Sequence, residues 1–308
     1  MLIPNVASLF VSFLLPLYAT TSAAASQNAL GLIEAQPDLT LITALIKRDP
    51  ELVKLYSTVK NATIVAAIDS SFSSIDPNNL LYSNKAALRA ILQDIVIRGL
   101  YPTSRITKKP IYPSTELTDT RLVDTSRGRA VAKLVEIDGK KTVDVGAGSR
   151  ANITQGNLRF TGGILHKVSN GLDTPLSFSS IAATLNITSI SQLPPSFVVA
   201  FRLITSARDT TLFAISNEAY EALLASQPDA TFLQFVDTLG YYVVTPGVYF
   251  EKDFTGKSVK TLNGSKLKLS GFGTGTVKAN DAVVVRSDIF ATNGVVHILD
   301  RPLNPLRY

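Results

Sequence analysis

The 308-residue sequence contains no cysteine and no tryptophan, one methionine and two histidines. Without cysteine there are no disulfides, no thiolate nucleophile and no cysteine metal site, so an exported form must be held by hydrophobic cores alone. The two histidines stand 297 − 166 = 131 positions apart and offer no local cluster for metal ligation or paired acid–base work. Charge blocks are missing as well. The 30 Lys and Arg residues are interspersed with 24 Asp and Glu, for a net +6, which reads as a mildly basic solvated surface and argues against nucleic acid as partner. Apolar residues make up 45% and charged residues 18%; that balance excludes disorder, and the length suits about two domains.

What is present begins with an apolar run, Val6–Tyr18, followed by Ser22-Ala23-Ala24-Ala25-Ser26. The run is broken by Pro16 and falls short of the ~20 residues that a membrane span needs. It is expected to be a signal peptide, residues 1–25, cleaved after Ala25. At the other end Ile298–Tyr308 carries Arg301, Pro302, Pro305 and Arg307, so neither a glycolipid-anchor signal nor a stable membrane span is expected.

Between these ends the chain can be laid on itself. Asp38-Leu39-Thr40 meets Asn186-Ile187-Thr188 at a shift of 186 − 38 = 148. The same shift brings Thr63–Phe72 onto Thr211–Tyr220, and Leu92–Gly99 with Tyr101 onto Gly240–Gly247 with Tyr249. A period this long exceeds the ~20–50 residues of a solenoid repeat and indicates two domains of one fold. We expect unit one at 26–172, a short linker at 173–185 and unit two at 186–308. Each unit opens with helical spacing: Leu39, Ile42, Leu45 and Ile46, then Asp49-Pro50-Glu51 as a helix start, and Phe197, Val198, Phe201 and Ile204 in unit two. Strands follow at Ile64–Ile68 and Leu212–Ile215. Asp69 and Ser216-Asn217 are placed to cap the turns that carry Phe72 and Tyr220. Each unit then has a helix, a Val-rich strand and a hairpin, turning at Asp138-Gly139 and at Asn263-Gly264. The hairpins align at 264 − 139 = 125, so unit one carries 148 − 125 = 23 additional residues within about 102–129. That insertion is expected to be a surface loop, removable (Thr103–Ser126) without loss of the fold.

Both units close on similar segments, Thr161-Gly162-Gly163-Ile164-Leu165-His166 and Thr292-Asn293-Gly294-Val295-Val296-His297-Ile298-Leu299-Asp300. With Thr211–Tyr220 and the Tyr249 region, these residues resemble the fasciclin-domain family across nearly all of the mature chain, unit two more closely than unit one. The resemblance implies an α+β fold, two tandem fasciclin-like domains that are each a β-sandwich wedge packed with several helices. It also implies extracellular work in adhesion, matrix or cell wall without catalysis. Asp94-Ile95 and Tyr241-Tyr242 occupy the place of the Tyr-His pair that animal members often carry for integrin, so that partner is not carried over. Ala67 and Ile215 replace a common family proline. Asn157, Gly162 and Ser169 stand where unit two has Asp288, Asn293 and Asp300.

Each histidine lies in an apolar strand, where a buried imidazole must satisfy its nitrogens on nearby backbone. We therefore read His166, His297, Asn293, Gly294, Asp300, Asn217, Tyr220 and Phe72 as structural motif residues, with no catalytic, cofactor or metal residue. Asp69, Glu218, Asp288 and Asp300 lie beside turns and are expected to bond their own backbone. Gly271-Phe272-Gly273-Thr274-Gly275 lacks the following Lys-Ser/Thr of a phosphate loop. Four sequons, at Asn61, Asn152, Asn186 and Asn263, fall at expected turns, although about three would arise by chance. Partner-contact candidates are the insertion's Lys108, Lys109, Tyr112, Arg121, Arg127 and Arg129, suited to acidic glycan or protein. The expected function is secreted, non-enzymatic adhesion at a cell surface, wall or matrix. A soluble carrier of a lipid or other small apolar ligand is the alternative, a hydrolase a distant third, and the vacuole an alternative compartment.

Overall fold

The computed structural model describes residues 27–72, 84–171, 173–187, 195–226 and 232–303. The expected signal peptide and cleavage point lie outside them. No helix among the described residues is long and apolar enough to cross a membrane.

The chain builds two mixed sheets with helices against them. Unit one starts with α1 (Ala29–Glu34), α2 (Thr40–Lys47) and α3 (Pro50–Thr58), the last capped by the Asp49 carboxylate and opened by Pro50 as the sequence predicts. Then come β1 (Ala62–Ala67), α4 (Lys85–Asp94), β2 (Val96–Arg98) and the strands β3 (Lys133–Ile137), β4 (Lys140–Val145), β5 (Ser149–Phe160) and β6 (Gly163–Val168). The sheet order is β2-β1-β6-β5-β4-β3. Strand β6, which carries His166, pairs in parallel with β1 at the centre. Both are buried along their length, as the apolar runs without alternation require. Strand β5 shifts register twice against β6; such bulges bend a strand and increase its twist.

Unit two repeats the plan with α5 (Phe178–Thr184), α6 (Pro195–Ile204), β7 (Thr210–Ile215), α7 (Asn217–Ser226), α8 (Phe232–Tyr241), β8 (Val243–Val244), β9 (Lys257–Lys260), β10 (Lys266–Ser270), β11 (Lys278–Ala279), β12 (Ala282–Ala291) and β13 (Gly294–Leu299). Its order is β8-β7-β13-β12-β11-β10-β9, with β13 parallel to β7. Gly294 is required where β13 meets β7, because a Cβ there would come within 1.7 Å of the Thr210 carbonyl oxygen.

Three expectations change. The expected linker 173–185 contains α5, whose Phe178, Ile181 and Ala182 are buried with Leu212, Ala214 and Val296; three- and four-residue apolar spacing made it part of a core rather than a tether. The first hairpin turns on Asp138 (φ 50°) and Gly139 (φ 73°), but the second closes over 261–265, with Asn263 Oδ1 accepting from Thr261 Oγ1 and Ser265 N. Finally, Asp69 does not cap its own turn. Its carboxylate accepts from Thr40 N, Thr40 Oγ1 and Leu41 N at 2.6–3.0 Å and so caps α2, whose N-cap residue Leu39 has no side chain to do it.

Candidate functional site

The insertion is a packed element. Ile106, Thr115 and Leu117 are fully buried and Val123 nearly so, and Leu117, Val123 and Ala130 form a small core with Ala90 of α4. A polar sequence with three prolines reads as a loop, yet its few apolar residues all turn inward.

Its outer limb lies against unit two. Asp124 N donates to Thr292 O (2.6 Å), Ser126 N to Asp209 Oδ1 (2.8 Å) and Arg208 Nη2 to Thr125 O (3.1 Å). Tyr112, expected to face a partner, is directed inward. Its ring stacks on Phe250 at 4.8 Å and 14°, and its hydroxyl donates to Asp288 Oδ2 at 2.7 Å. Aromatic burial and an ionised acceptor outweigh exposure at that position.

Asp288 is the centre of this junction and the residue that sequence reasoning misjudged. Its side chain is fully buried. Oδ1 accepts from Glu251 N (2.9 Å), and Oδ2 accepts from Tyr112 Oη and from Lys133 Nζ (2.7 Å). Lys133, with 4% of its side chain exposed, also donates to Glu251 Oε2 (2.7 Å) and Ser287 Oγ (3.2 Å). Burial opposes the charge on both partners. Lys133 holds the Asp288 carboxyl below its ordinary value, and Asp288 with Glu251 holds the Lys133 ammonium above its own. Burial, Asp288 and Glu251 together push the Tyr112 hydroxyl upward, so it remains a donor.

The same backbone frame recurs in unit one without the charge. Asn157 and Asp288 both have left-handed backbones, φ 64° and 60°. Asn157 Oδ1 accepts from Thr103 N, the counterpart of Glu251, and its Nδ2 donates to Thr103 Oγ1. Both residues donate their N–H to histidine, Asn157 to His166 Nδ1 (3.1 Å) and Asp288 to His297 Nδ1 (3.4 Å). Each Nε2 lies 2.8 Å from a carbonyl, Tyr101 O or Tyr249 O. A nitrogen that accepts and one that donates define the neutral Nε2–H tautomer. Burial accordingly lowers both histidine pKa values.

The other motif residues also serve this frame. Asn293 Nδ2 donates to Thr205 O and Ala207 O, Asn217 Nδ2 to Asn186 O, and Asp300 Oδ1 accepts from Val283 N at 2.8 Å. Ser169 Oγ takes the equivalent Asn152 N at 3.1 Å. Phe72 and Tyr220 pack on the cores of their own units. Of the turn acids, Asp69 and Asp288 need correction, since each bonds backbone distant in sequence rather than its own, while Asp300 bonds its own backbone as expected and reaches Val283 N as well.

The remaining candidates face outward. Lys108 and Lys109 are exposed. Arg121 pairs with neighbouring Asp119 while staying 75% exposed, Arg127 lies 5.1 Å over the Phe250 ring, and Arg129 pairs with Glu116. Asn61 and Asn186 are exposed, Asn152 is half-buried, and Asn263 donates its amide to Asp237 O. Among the described residues no group of three acidic or histidine side chains could hold a metal ion. An open groove of about 620 Å³ runs between the β3–β4 hairpin and β12, past Lys108, Arg150 and Val285.

Residues 196–305 match the fasciclin domain family model. The chain is 26% identical over 278 residues to a fasciclin-like arabinogalactan protein of Arthroderma benhamiae, covering 89% of this chain and 65% of that protein. It is also 26% identical over 294 residues to the fasciclin-like arabinogalactan protein elcF of Phaeosphaeria nodorum, covering 94% and 92%. A solved FAS1 domain pair from the insect cell adhesion molecule fasciclin I superposes with a TM-score of 0.40 at 17% identity, over 87% of this chain and 97% of that one. The family match falls on the unit built around Asn293, His297 and Asp300, and that unit is similar to a fasciclin domain.

Proposed function

We propose that the protein is an exported, non-enzymatic adhesion protein of two tandem fasciclin-like units, the first at 26–172 and the second taking in α5 and running to 308, which attaches to glycan or protein at a cell surface, wall or matrix. The observation that carries this reading is the anchored insertion. Tyr112, Leu117 and Val123 fix it to both units, so Lys108, Lys109 and Arg121 stand outward on a rigid ridge. Specific contact favours exposed groups on a fixed scaffold, since little ordering entropy is lost on binding. The kinship with fasciclin-like arabinogalactan proteins supports the extracellular setting. Absence of catalysis is supported by the histidines, because both nitrogens of each ring are already bonded and neither is available as a general base.

The test is charge reversal on the ridge. Lys108→Glu, Lys109→Glu and Arg121→Glu together should leave thermal melting within about 0.5 kcal/mol of wild type and reduce salt-sensitive attachment to wall or matrix material. Attachment equal to wild type at every salt concentration overturns the ridge as the contact. Export is checked on the protein recovered from its own host. Its N-terminus should lie near Ser26 and its mass should fall on endoglycosidase treatment, whereas an unglycosylated chain beginning at Met1 refutes the setting.

A further inference from the structure

Sequence order scatters the basic residues, but strand pairing gathers four of them. Along β9 and β10, Val259, Leu267 and Leu269 are buried, while Ser258, Lys260, Lys266 and Lys268 are exposed. The register sets Lys260 opposite Lys266, Ser258 opposite Lys268, and Ser270 opposite Lys278 of β11. Directly paired residues share a face, as do residues two apart, so Lys260, Lys266, Lys268 and Lys278 form one array with Ser258 and Ser270 between them. At about 4.8 Å between strands and about 7 Å between alternate residues, the four stems sit within roughly 15 Å.

This arrangement has no internal compensation. None of the four lysines pairs with an acid among the described residues, whereas Lys252, two strand-lengths of backbone away, pairs with Asp253 and Arg301 with Asp300. Like charges placed directly opposite one another destabilise a sheet. The corresponding hairpin of unit one avoids the problem: Glu136 faces Lys141 and Asp144 faces Arg150, and both pairs are ion-paired. The two ion pairs of unit one's hairpin lie on opposite faces, Lys141 and Asp144 being three apart on β4, whereas β9–β11 keeps one face uniformly positive.

We propose that the outer face of β9–β11 binds anionic polysaccharide, a chain bearing carboxylate or sulfate groups. The apolar side chains of this face are confined to its β12 edge, where Val283 lies opposite Lys278 and Val285 nearby is exposed, and so narrow an apolar stretch is a poor membrane anchor. It carries neither arginine nor aromatic rings on which bases could stack. Lysine ammonium groups are mobile point charges that follow anions spaced along a flexible polymer, and the serine hydroxyls can bond sugar oxygens. The proposal deepens the attachment reading by naming a second surface and its ligand class, and it rests on that reading only for its extracellular setting.

Purified protein is passed over immobilised polygalacturonate, dextran sulfate and neutral dextran. Wild type should be retained on at least one charged matrix, released by salt, and not retained on neutral dextran; the stronger charged arm distinguishes carboxylate from sulfate recognition. The variant Lys260→Gln/Lys266→Gln/Lys268→Gln/Lys278→Gln should lose roughly tenfold or more in affinity, as the loss of four charge contacts implies. It should melt no lower than wild type, since a like-charge pair is removed. The ridge variant should keep its affinity here, which separates failure of this site from failure of the ridge. Equal retention of the glutamine variant and wild type on both charged matrices overturns the proposal. So does capture of wild type by phosphatidylserine vesicles alone, which would assign the face to a membrane.

Discussion

Each histidine closes a bulge by bonding two backbone groups that would otherwise be stranded. Replacing His297 with Ala orphans Tyr249 O and Asp288 N and should cost about 1–3 kcal/mol, read by thermal melting, with attachment falling only as folding does. His166→Ala should behave alike through Tyr101 O and Asn157 N. The pH dependence has a definite sign. Burial lowers both folded-state values, so this stabilisation is present above the unfolded value of about 6.5 and is lost as pH falls through the folded one. Asp94 acts in the opposite sense. It is buried, Oδ1 accepts from Thr115 Oγ1, Oδ2 has no hydrogen-bond partner, and burial pushes its carboxyl up to about 7. Its contribution is complete below the unfolded value of 3.8 and is lost as pH rises through about 7. Asp94→Asn should therefore gain stability relative to wild type between pH 4 and 7 and then level off, as melting across that range will show.

At the level of elements, the insertion's role reverses. Sequence alone allows Thr103–Ser126 to be excised, but Ile106, Leu117 and Val123 are each worth about 1.5–3 kcal/mol when buried. Excision with a Gly-Ser linker should unfold the protein or lower its melting point sharply, and a cooperative transition at the wild-type temperature would contradict the packing described. A smaller test is Asp69→Ala, which uncaps α2 and should cost about 1 kcal/mol. These cases mark what was legible. Helix starts such as Asp49-Pro50, the first hairpin turn and the two His strands could be read directly, because caps, turns and periodicity are local. The closing segments, aligned at 288 − 157 = 131, located the Asn157 and Asp288 positions but not their meaning, since Asp288's side-chain partners Lys133 and Tyr112 lie 155 and 176 residues earlier in the chain. The lysine array was hidden for the same reason: residues 260, 266, 268 and 278 become neighbours only after the strands pair.

On the scale of the whole molecule, the junction couples the stability of the two units. Lys133→Met leaves the buried Asp288 carboxylate without its cation and should cost about 3–5 kcal/mol. Adding Asp288→Asn should recover much of that loss, because Asn157 already fills the equivalent position with an amide. Calorimetry of the single and double variants checks this, and a double variant no better than the single would mean that Asp288 is not the source of the strain.

The close fastening also governs how tension applied across the two units would travel through the protein. Residues 173–187 do not hang between two beads. Leu176 is bridged to Ala291, Thr292 N is bonded to Leu176 O, and Phe290 N to Gly146 O. The insertion adds Asp124 and Ser126 in parallel with that connection. Under a pulling force the crossover segment should thus be shielded until these parallel attachments rupture, and extension should begin only at that point.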